Sequence, residues 1–203
     1  MRCIRRLWPT EALTRPEDIQ YIPQRAYLSI GTLRDQLIYP DSHQDMRKKG
    51  VKDGDLRGIL EMVHLGYLEQ REGGLDTTKD WKDVFSGGER QRVNLCRLFY
   101  FMPQWAILDE CSSAVSSDVE GLLYKQLKDK GITLITVSHR PSLFKYHSYL
   151  LQLHGDSWQF AKIGTDKEQE SIEQEMATLQ GQVDSTNDLK ERLRYINRSL
   201  GLK

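Results

Sequence analysis

The chain has 203 residues, of which 29 are basic and 29 acidic, so its formal net charge is zero and gives no electrostatic reason to expect nucleic acid as a partner. The three cysteines, Cys3, Cys96 and Cys111, are far apart and odd in number, which argues against a disulfide framework or a zinc site. No apolar run approaches the length that a membrane-spanning helix needs.

The sequence changes in composition near residue 160. Residues 1–160 alternate short apolar runs with amphipathic stretches, whereas Glu, Gln, Lys and Asp dominate from residue 161 onward. This change predicts an α/β domain over 1–160 and a polar helical or coiled-coil-like tail over 161–203.

Two helices are predicted in the first half of the chain. DLRGILEMVHLGYL places Leu56, Ile59, Leu60 and Val63 on one helical face. Further on, a glycine pair opens a helix in SGGERQRVNLCRLFYF, which must end before Pro103. Glycines at this position have two interpretations. They are an ordinary helix start, or they leave the backbone bare so that its amides can cradle a phosphate.

Strands and one helix alternate in the next part. WAILD reads as a buried strand that ends at Asp109 and Glu110, and GITLITVSH reads as a second buried strand that ends at His139. Between them lies a helix, with Ser117 and Glu120 spaced as a capping box. Strand, helix, strand predicts two parallel strands. SYLLQLHGDSWQF then predicts two strands around a Gly-Asp turn.

Asp109, Glu110 and His139 therefore share one edge of the predicted sheet. Ligands of open parallel α/β sheets bind beyond the carboxyl ends of the strands. An apolar strand followed by Asp-Glu matches a Walker B arrangement, in which the first acid holds magnesium and the second orients or deprotonates a water. The alternative is that the two acids merely cap the next helix.

Four stretches, in this order along the chain, resemble the ATP-binding cassette (ABC) ATPases. YIPQRAYLSIGTLRDQLIYP resembles the Q-loop of that family, with Gln24 as its glutamine, and SGGERQR resembles its signature motif. WAILDE resembles the Walker B strand, and TVSHR resembles the histidine loop. The resemblance covers roughly residues 1–160. It implies a P-loop NTPase-like α/β cassette with a parallel core sheet and a helical subdomain.

The resemblance also implies roles for individual residues. Glu110 is the catalytic base, and His139 contacts the γ-phosphate and helps to position the attacking water. Asp109 holds Mg²⁺ through water, and Gln24 senses that ion and couples it to a membrane domain. The signature closes over the ATP that a partner subunit holds. The nucleotide-binding residues implied are Gln24, Ser86, Gly87, Gly88, Glu89 and Asp109, with ATP and Mg²⁺ as cofactors. The segment Ser113–Ser116 resembles the D-loop, although most of the family has aspartate where this chain has Ser116.

Finer details resemble one subfamily. DWKDVFSGGER, LDECSSAVSSDVEG and SHRPSLFKYHSYLLQL are similar to sub-family D, the half-transporters that import fatty acids or fatty acyl-CoA into peroxisomes. This similarity implies a second half-transporter and a membrane domain as partners. It also implies a place on the cytosolic face of the peroxisomal membrane.

The sequence contains no G-x-x-x-x-G-K-[ST] motif. RCIRRLWPT resembles the helix that follows the P-loop lysine, so we expect the N-terminal part of the cassette to be missing. Single oxyanion donors are each worth roughly 3–4 kcal/mol, so losing several phosphate contacts predicts that the chain alone does not bind ATP in the ordinary way. A truncated gene sequence is favoured over a real short product, because loss of a central strand leaves an unpaired sheet edge.

The tail carries an apolar stripe with heptad-like spacing, which slips in phase near GQVDSTND. It reads either as a helix packed on its own domain or as a dimer-forming coiled coil. The stripe consists of Ile172, Met176, Leu179 and Val183, followed by Leu189, Leu193, Ile196 and Leu200.

Three hypotheses on function remain. The first is an ATP-hydrolysing domain of a peroxisomal transporter. The second is an ABC ATPase without membrane segments, and the third is a non-catalytic fragment that pairs with an intact cassette. Tyr21 and Tyr27 flank Gln24. Core packing is the role we expect for both, and packing on a coupling helix of the membrane domain is the alternative.

Overall fold

The computed structural model describes residues 18–154 and 157–163. The chain divides into two compact units, Met1–His139 and Arg140–Lys203. The expected boundary near residue 160 stays a prediction. The described elements of the first unit are, in chain order, β1 (Ile19–Ile22), β2 (Ile30–Thr32), α1 (Leu33–Ile38), α2 (His43–Lys48), α3 (Asp53–Met62), α4 (Tyr67–Glu72), β3 (Thr78–Asp80), α5 (Trp81–Val84), α6 (Gly87–Phe101), β4 (Trp105–Asp109), α7 (Ser117–Asp129) and β5 (Thr133–Val137).

A three-stranded parallel sheet positions the site. Its strand order is β1-β4-β5, with Ile22 opposite Leu108 and Asp109 opposite Val137. The central strand β4 is buried as predicted, because it has a strand on both sides. The parallel pairing of β4 with β5 confirms the prediction from the strand-helix-strand order.

Strand β5 is less buried than its sequence predicts. Its three middle residues are half-buried, Thr133 is exposed, and Val137 is 39% exposed. The reason is its position: within residues 18–154 and 157–163, β5 pairs with β4 and no strand pairs with its other edge. A β-branched apolar run thus marks a strand but does not tell how many neighbours it has.

The helices α1 to α6 and the antiparallel pair β2–β3 form the part of the first unit between β1 and β4. Leu56, Ile59 and Leu60 are buried on one face of α3, as the periodicity predicts. Val63 is also buried, but it is the C-cap rather than a helical residue, because α3 ends at Met62. Trp81 of α5 is fully buried, stacks on Phe85 and donates a hydrogen bond from Nε1 to the backbone oxygen of Gly31 (2.8 Å). This packing fixes the residues immediately before the glycine pair.

The capping box predicted for α7 is wrong. The N-cap is Ser116, whose side chain makes no capping hydrogen bond, and Ser117 is the first helical residue. Because the helix begins one residue earlier than expected, Glu120 lies at the fourth helical position. The box requires the third.

The second unit contains a 3₁₀ helix (Pro141–Tyr146) and the strands β6 (Tyr149–His154) and β7 (Ser157–Lys162). These strands pair antiparallel, with Leu151 opposite Phe160, which confirms the predicted hairpin. Its turn, the tail from 164 to 203 and residues 1–17 lie outside the described residues. In the described part of the chain, no helix has the length and apolar character to cross a membrane.

Candidate functional site

Glu110 follows β4 in an unusual backbone conformation. Its φ is +45°, in the left-handed region that residues with a side chain seldom adopt, and its N–H donates to the backbone oxygen of Val137 (2.9 Å). Strain of this kind persists where the surroundings enforce it, and it occurs often at functional sites. The strained position turns the chain sharply at the carboxyl end of the central strand.

Two distant segments converge on the Glu110 carboxylate. Nε2 of Gln24, in the loop after β1, donates to Oε2 (2.7 Å), and Nε2 of His139, after β5, lies 3.1 Å from Oε1. The strands β1 and β5 flank β4, so their carboxyl ends bring both residues to the same edge. We call Gln24, Asp109, Glu110 and His139 the strand-end cluster.

Asp109 has a partner that sequence reasoning missed. The hydroxyl of Tyr21 donates to its Oδ2 (2.6 Å), a contact beyond the core packing expected from the sequence. The same expectation is wrong for Tyr27, which is 54% exposed. The position of Tyr21 near the end of β1 could have indicated this contact with Asp109. A strand paired in parallel with β4 ends beside the same acids.

The strand-end cluster is open to solvent. The side chain of His139 is 92% exposed and that of Glu110 is 27% exposed. Within the described residues, no group of three or more His, Cys, Asp or Glu side chains could hold a metal ion by itself. Two adjacent carboxylates suit Mg²⁺, which is commonly bound by one or two carboxylates and completes its shell with water and substrate phosphate. Neighbouring Cys111 is buried, which raises the pKa of its thiol to about 12 and keeps it unreactive.

The segment Ser86–Glu89, which we call the signature turn, starts α6 with a complete capping box. Oγ of Ser86 accepts from the N–H of Glu89 (3.3 Å), and Oε2 of Glu89 accepts from the N–H of Ser86 (2.8 Å). In the part of the chain that the structure describes, the N–H groups of Gly87 and Gly88 have no acceptor. Two free amides at a helix N-terminus can bind an anion.

Glu89 itself is buried and bound within the chain. Its Oε1 accepts from the hydroxyl of Tyr67 (2.6 Å) and from Nη1 of Arg71 (2.6 Å). Burial by itself would raise the pKa of Glu89, but the hydrogen bonds from Arg71, Tyr67 and Ser86 outweigh it and lower the pKa to about 2. The carboxylate thus holds the turn in shape, and a nucleotide contact through Glu89 stays a prediction.

The two glycines of the turn are not equivalent. A Cβ on Gly88 would lie 2.9 Å from the backbone oxygen of Ala114, closer than real Cβ atoms come, whereas a Cβ on Gly87 would meet only the Ala114 methyl at 3.6 Å. Packing against Ala114 therefore requires glycine at position 88, whereas packing within the chain does not require it at position 87.

The strand-end cluster and the signature turn are separate. Among the described residues, no hydrogen bond or ion pair joins a member of one directly to a member of the other. The structure thus brings Gln24, Asp109, Glu110 and His139 together and leaves Ser86, Gly87, Gly88 and Glu89 as a second group.

The chain is similar to several known proteins. It is 52% identical over 170 residues to the ATP-binding cassette sub-family D member 3 of Rattus norvegicus, covering 81% of this chain and 26% of that protein. It is 49% identical over 177 residues to the sub-family D member 1 of Drosophila melanogaster, covering 83% of this chain and 24% of that protein. The chain thus spans about a quarter of the length of the curated relatives that it matches.

The fold is similar to that of a solved structure. A bacterial Atm1-family ABC exporter with ATP bound matches 66% of this chain and 23% of its own, with a TM-score of 0.56 and 21% sequence identity. No family model matches the chain. With about half of its residues identical to these relatives over four fifths of its length, the chain belongs to sub-family D of the ATP-binding cassette transporters.

Proposed function

We propose that this chain is the nucleotide-binding domain, or a part of it, of a transporter that hydrolyses ATP with Mg²⁺. The observation that carries the proposal is the position of Glu110, whose carboxylate lies between Gln24 and His139 at the carboxyl end of the central strand. Three segments far apart in sequence supply these groups. A carboxylate that only capped the next helix would need neither partner.

The roles follow from the chemistry of each group. A carboxylate held by two neighbours and reachable by water suits a general base, so Glu110 takes a proton from the attacking water. His139 orients that water and contacts the terminal phosphate. Asp109 binds the water shell of Mg²⁺, and Gln24 adds an amide oxygen. Bound Mg²⁺ offsets the negative charge of the phosphates.

The signature turn acts on a nucleotide that a second cassette holds. Ser86 and Gly87 are exposed, and Gly87 and Gly88 present two unused amides at the start of a fifteen-residue helix. The positive end of that helix favours a phosphate. The carboxylate of Glu89 stays inside the chain, so Ser86, Gly87 and Gly88 make the contact.

The experiment is to mix the 203-residue chain with an intact nucleotide-binding domain of a sub-family D relative. Analytical ultracentrifugation then measures association with and without MgATP. We expect association that depends on MgATP. Gly87→Asp should abolish it, because the carboxylate would face the phosphate. Gly87→Asn has the same size without the charge and should retain more binding. Gly87 is the better probe, because any side chain on Gly88 meets Ala114.

Equal association of the wild-type chain and of Gly87→Asp would contradict the role of the signature turn. Both variants should fold normally, since Asp and Asn are well tolerated at the start of a helix. Melting temperatures provide that control.

The strand-end cluster is tested in a full-length protein that carries these residues together with a P-loop. There, Glu110→Gln keeps the size of the side chain and loses its basicity, so ATP hydrolysis should stop while ATP binding remains. The 203-residue chain by itself should show no micromolar affinity for MgATP in calorimetry, since its sequence contains no P-loop motif. Normal turnover in Glu110→Gln would remove Glu110 from the role of base.

We further propose that the transporter imports fatty acids or fatty acyl-CoA into peroxisomes, as one of two half-transporters on that membrane. The support is the similarity of the three subfamily-like stretches around the signature, the Walker B strand and His139. Disrupting the gene should slow peroxisomal oxidation of long acyl chains and leave that of short chains unchanged.

The alternative is a non-catalytic chain that only pairs with an intact cassette. It predicts MgATP-dependent association without any effect of Glu110→Gln on turnover.

A further inference from the structure

Gln91 connects the first turns of α6 to the segment Ser113–Ser116. Its Nε2 donates to Oγ of Ser113 (2.9 Å), and its Oε1 accepts from the N–H of Ala114 (2.7 Å). Gln91 is 8% exposed, so the side chain lies between the helix and the segment with both ends of its amide used. A buried amide with both ends satisfied fixes its partners in one geometry.

Gly88 provides an independent observation at the same place. Its Cα lies so close to Ala114 that a Cβ would come within 2.9 Å of the Ala114 backbone oxygen. The signature turn and the segment thus touch through backbone at Gly88 and through a side chain at Gln91. Both contacts converge on Ala114.

Ser113–Ser116 is anchored on its other side by apolar packing. Val115 is 5% exposed, and its N–H donates to the backbone oxygen of Ser112 (2.9 Å). Ser113, Ala114 and Ser116 are exposed. The N–H of Ser113 also donates to the backbone oxygen of Glu110 (3.4 Å), and the two Gln91 hydrogen bonds tie the exposed residues to α6.

We propose that Gln91 is a positioning residue that joins the signature turn and Ser113–Ser116 into one rigid surface for a second cassette. The inference rests on the proposed function, because that surface matters only if the signature turn docks on a partner. Gln91 is buried behind the surface that it would position. It acts through Ser113 and Ala114, and ordering these residues before docking lowers the entropy that association costs.

Two variants separate the hydrogen bonds from the packing. Gln91→Met keeps the length of the side chain and loses both contacts. Gln91→Glu keeps an acceptor for the Ala114 N–H, and the Ser113 hydroxyl can donate to its second oxygen. We expect Gln91→Glu to behave like the wild-type chain and Gln91→Met to lose the function.

The first readout is amide hydrogen exchange of Ala114 in the 203-residue chain, which needs no nucleotide. Exchange should be about tenfold faster in Gln91→Met, the change that corresponds to one typical hydrogen bond, and unchanged in Gln91→Glu. Equal exchange in Gln91→Met and wild type would overturn the proposed contact.

The second readout is MgATP-dependent association with the intact domain. Gln91→Met should bind at least about tenfold more weakly, with a melting temperature close to that of the wild-type chain. Faster exchange with unchanged association would overturn the positioning role, as would lost association in a folded Gln91→Glu. If Gln91→Met does not fold, the association of Gln91→Glu tests the proposal instead. Association like that of the wild-type chain supports it, and lost association overturns it. If the wild-type chain itself does not associate, the proposed function fails, and the exchange result still decides whether Gln91 holds Ala114.

Discussion

The strand-end cluster and the signature turn use carboxylates in opposite ways. Glu110 has a side chain that is 27% exposed, and both of its side-chain partners are exposed, His139 by 92%. Glu89 has a side chain that is 7% exposed and bonds to Tyr67, Arg71 and the N–H of Ser86. One acid remains available for chemistry, and the other maintains the shape of a backbone turn.

The difference predicts how much each carboxylate contributes to the free energy of unfolding. A buried charge is stable only when charged or polar partners replace water, so removing one partner leaves the others uncompensated. A partly exposed charge keeps much of its hydration and depends little on its neighbours. Substitution of the buried Glu89 should therefore change stability, and substitution of the partly exposed Glu110 should change chemistry.

The largest expected effect is on the signature turn. Glu89→Ala removes the acceptor of Tyr67, Arg71 and the Ser86 N–H together, so the free energy of unfolding should fall by about 3 kcal/mol. Urea unfolding followed by circular dichroism measures it. Glu69→Ala is the matched control on α4, because Glu69 pairs with the more exposed Arg57, and its effect should stay below about 1 kcal/mol. Equal effects of the two substitutions would contradict the comparison.

The second prediction concerns pH. The pKa of Glu89 is lowered to about 2 from an ordinary value of 4.5, so the ionised carboxylate stabilises the fold above pH 4.5. That contribution, up to about 3 kcal/mol, is lost as the pH falls from 4.5 to 2. Urea midpoints between pH 6 and pH 3 should fall more steeply for the wild-type chain than for Glu89→Gln, which does not titrate. Parallel slopes would show that other carboxylates dominate.

The third prediction separates the two glycines. Gly88→Ala should lower the free energy of unfolding by about 1–3 kcal/mol, because its Cβ meets the Ala114 oxygen and the backbone must shift. Gly87→Ala has an ordinary contact at 3.6 Å and should change it by no more than about 0.5 kcal/mol. The same urea experiment measures both. A destabilised Gly87→Ala would mean that the turn tolerates no side chain at either position.

The last prediction concerns the strand-end cluster, where the expected effect on stability is small. Glu110→Gln keeps an oxygen that can accept from Gln24 and removes only a partly exposed charge. The free energy of unfolding should change by less than about 1 kcal/mol. A loss as large as that of Glu89→Ala would show that Glu110 is structural, and the contrast between the two regions would be wrong.

Much of the fold could be predicted from local pattern. The apolar run before Asp109 predicts a buried strand, and the strand-helix-strand order predicts its parallel pairing with β5. The period of α3 predicts its buried face. These predictions succeed because hydrophobic periodicity and turn residues act over a few neighbouring positions.

The predictions from sequence failed where a shift of one residue, or a strand far away in sequence, determines the local structure. The start of α7 at Ser117 removes the capping box with Glu120. The half-exposure of β5 depends on which strands pair with it, and the residues of β5 do not indicate its neighbours.

The sequence alone determined that Asp109, Glu110 and His139 end two neighbouring strands, because residue types and strand ends are local properties. Only the tertiary structure decided that Gln24 donates to Glu110, that Tyr21 binds Asp109 and that Gln91 holds Ala114. The residues in these pairs are separated by 86, 88 and 23 positions. Hydrogen bonds require donor and acceptor to come within about 3 Å. Between residues so far apart in sequence, only the packing of the intervening strands and helices brings the atoms that close.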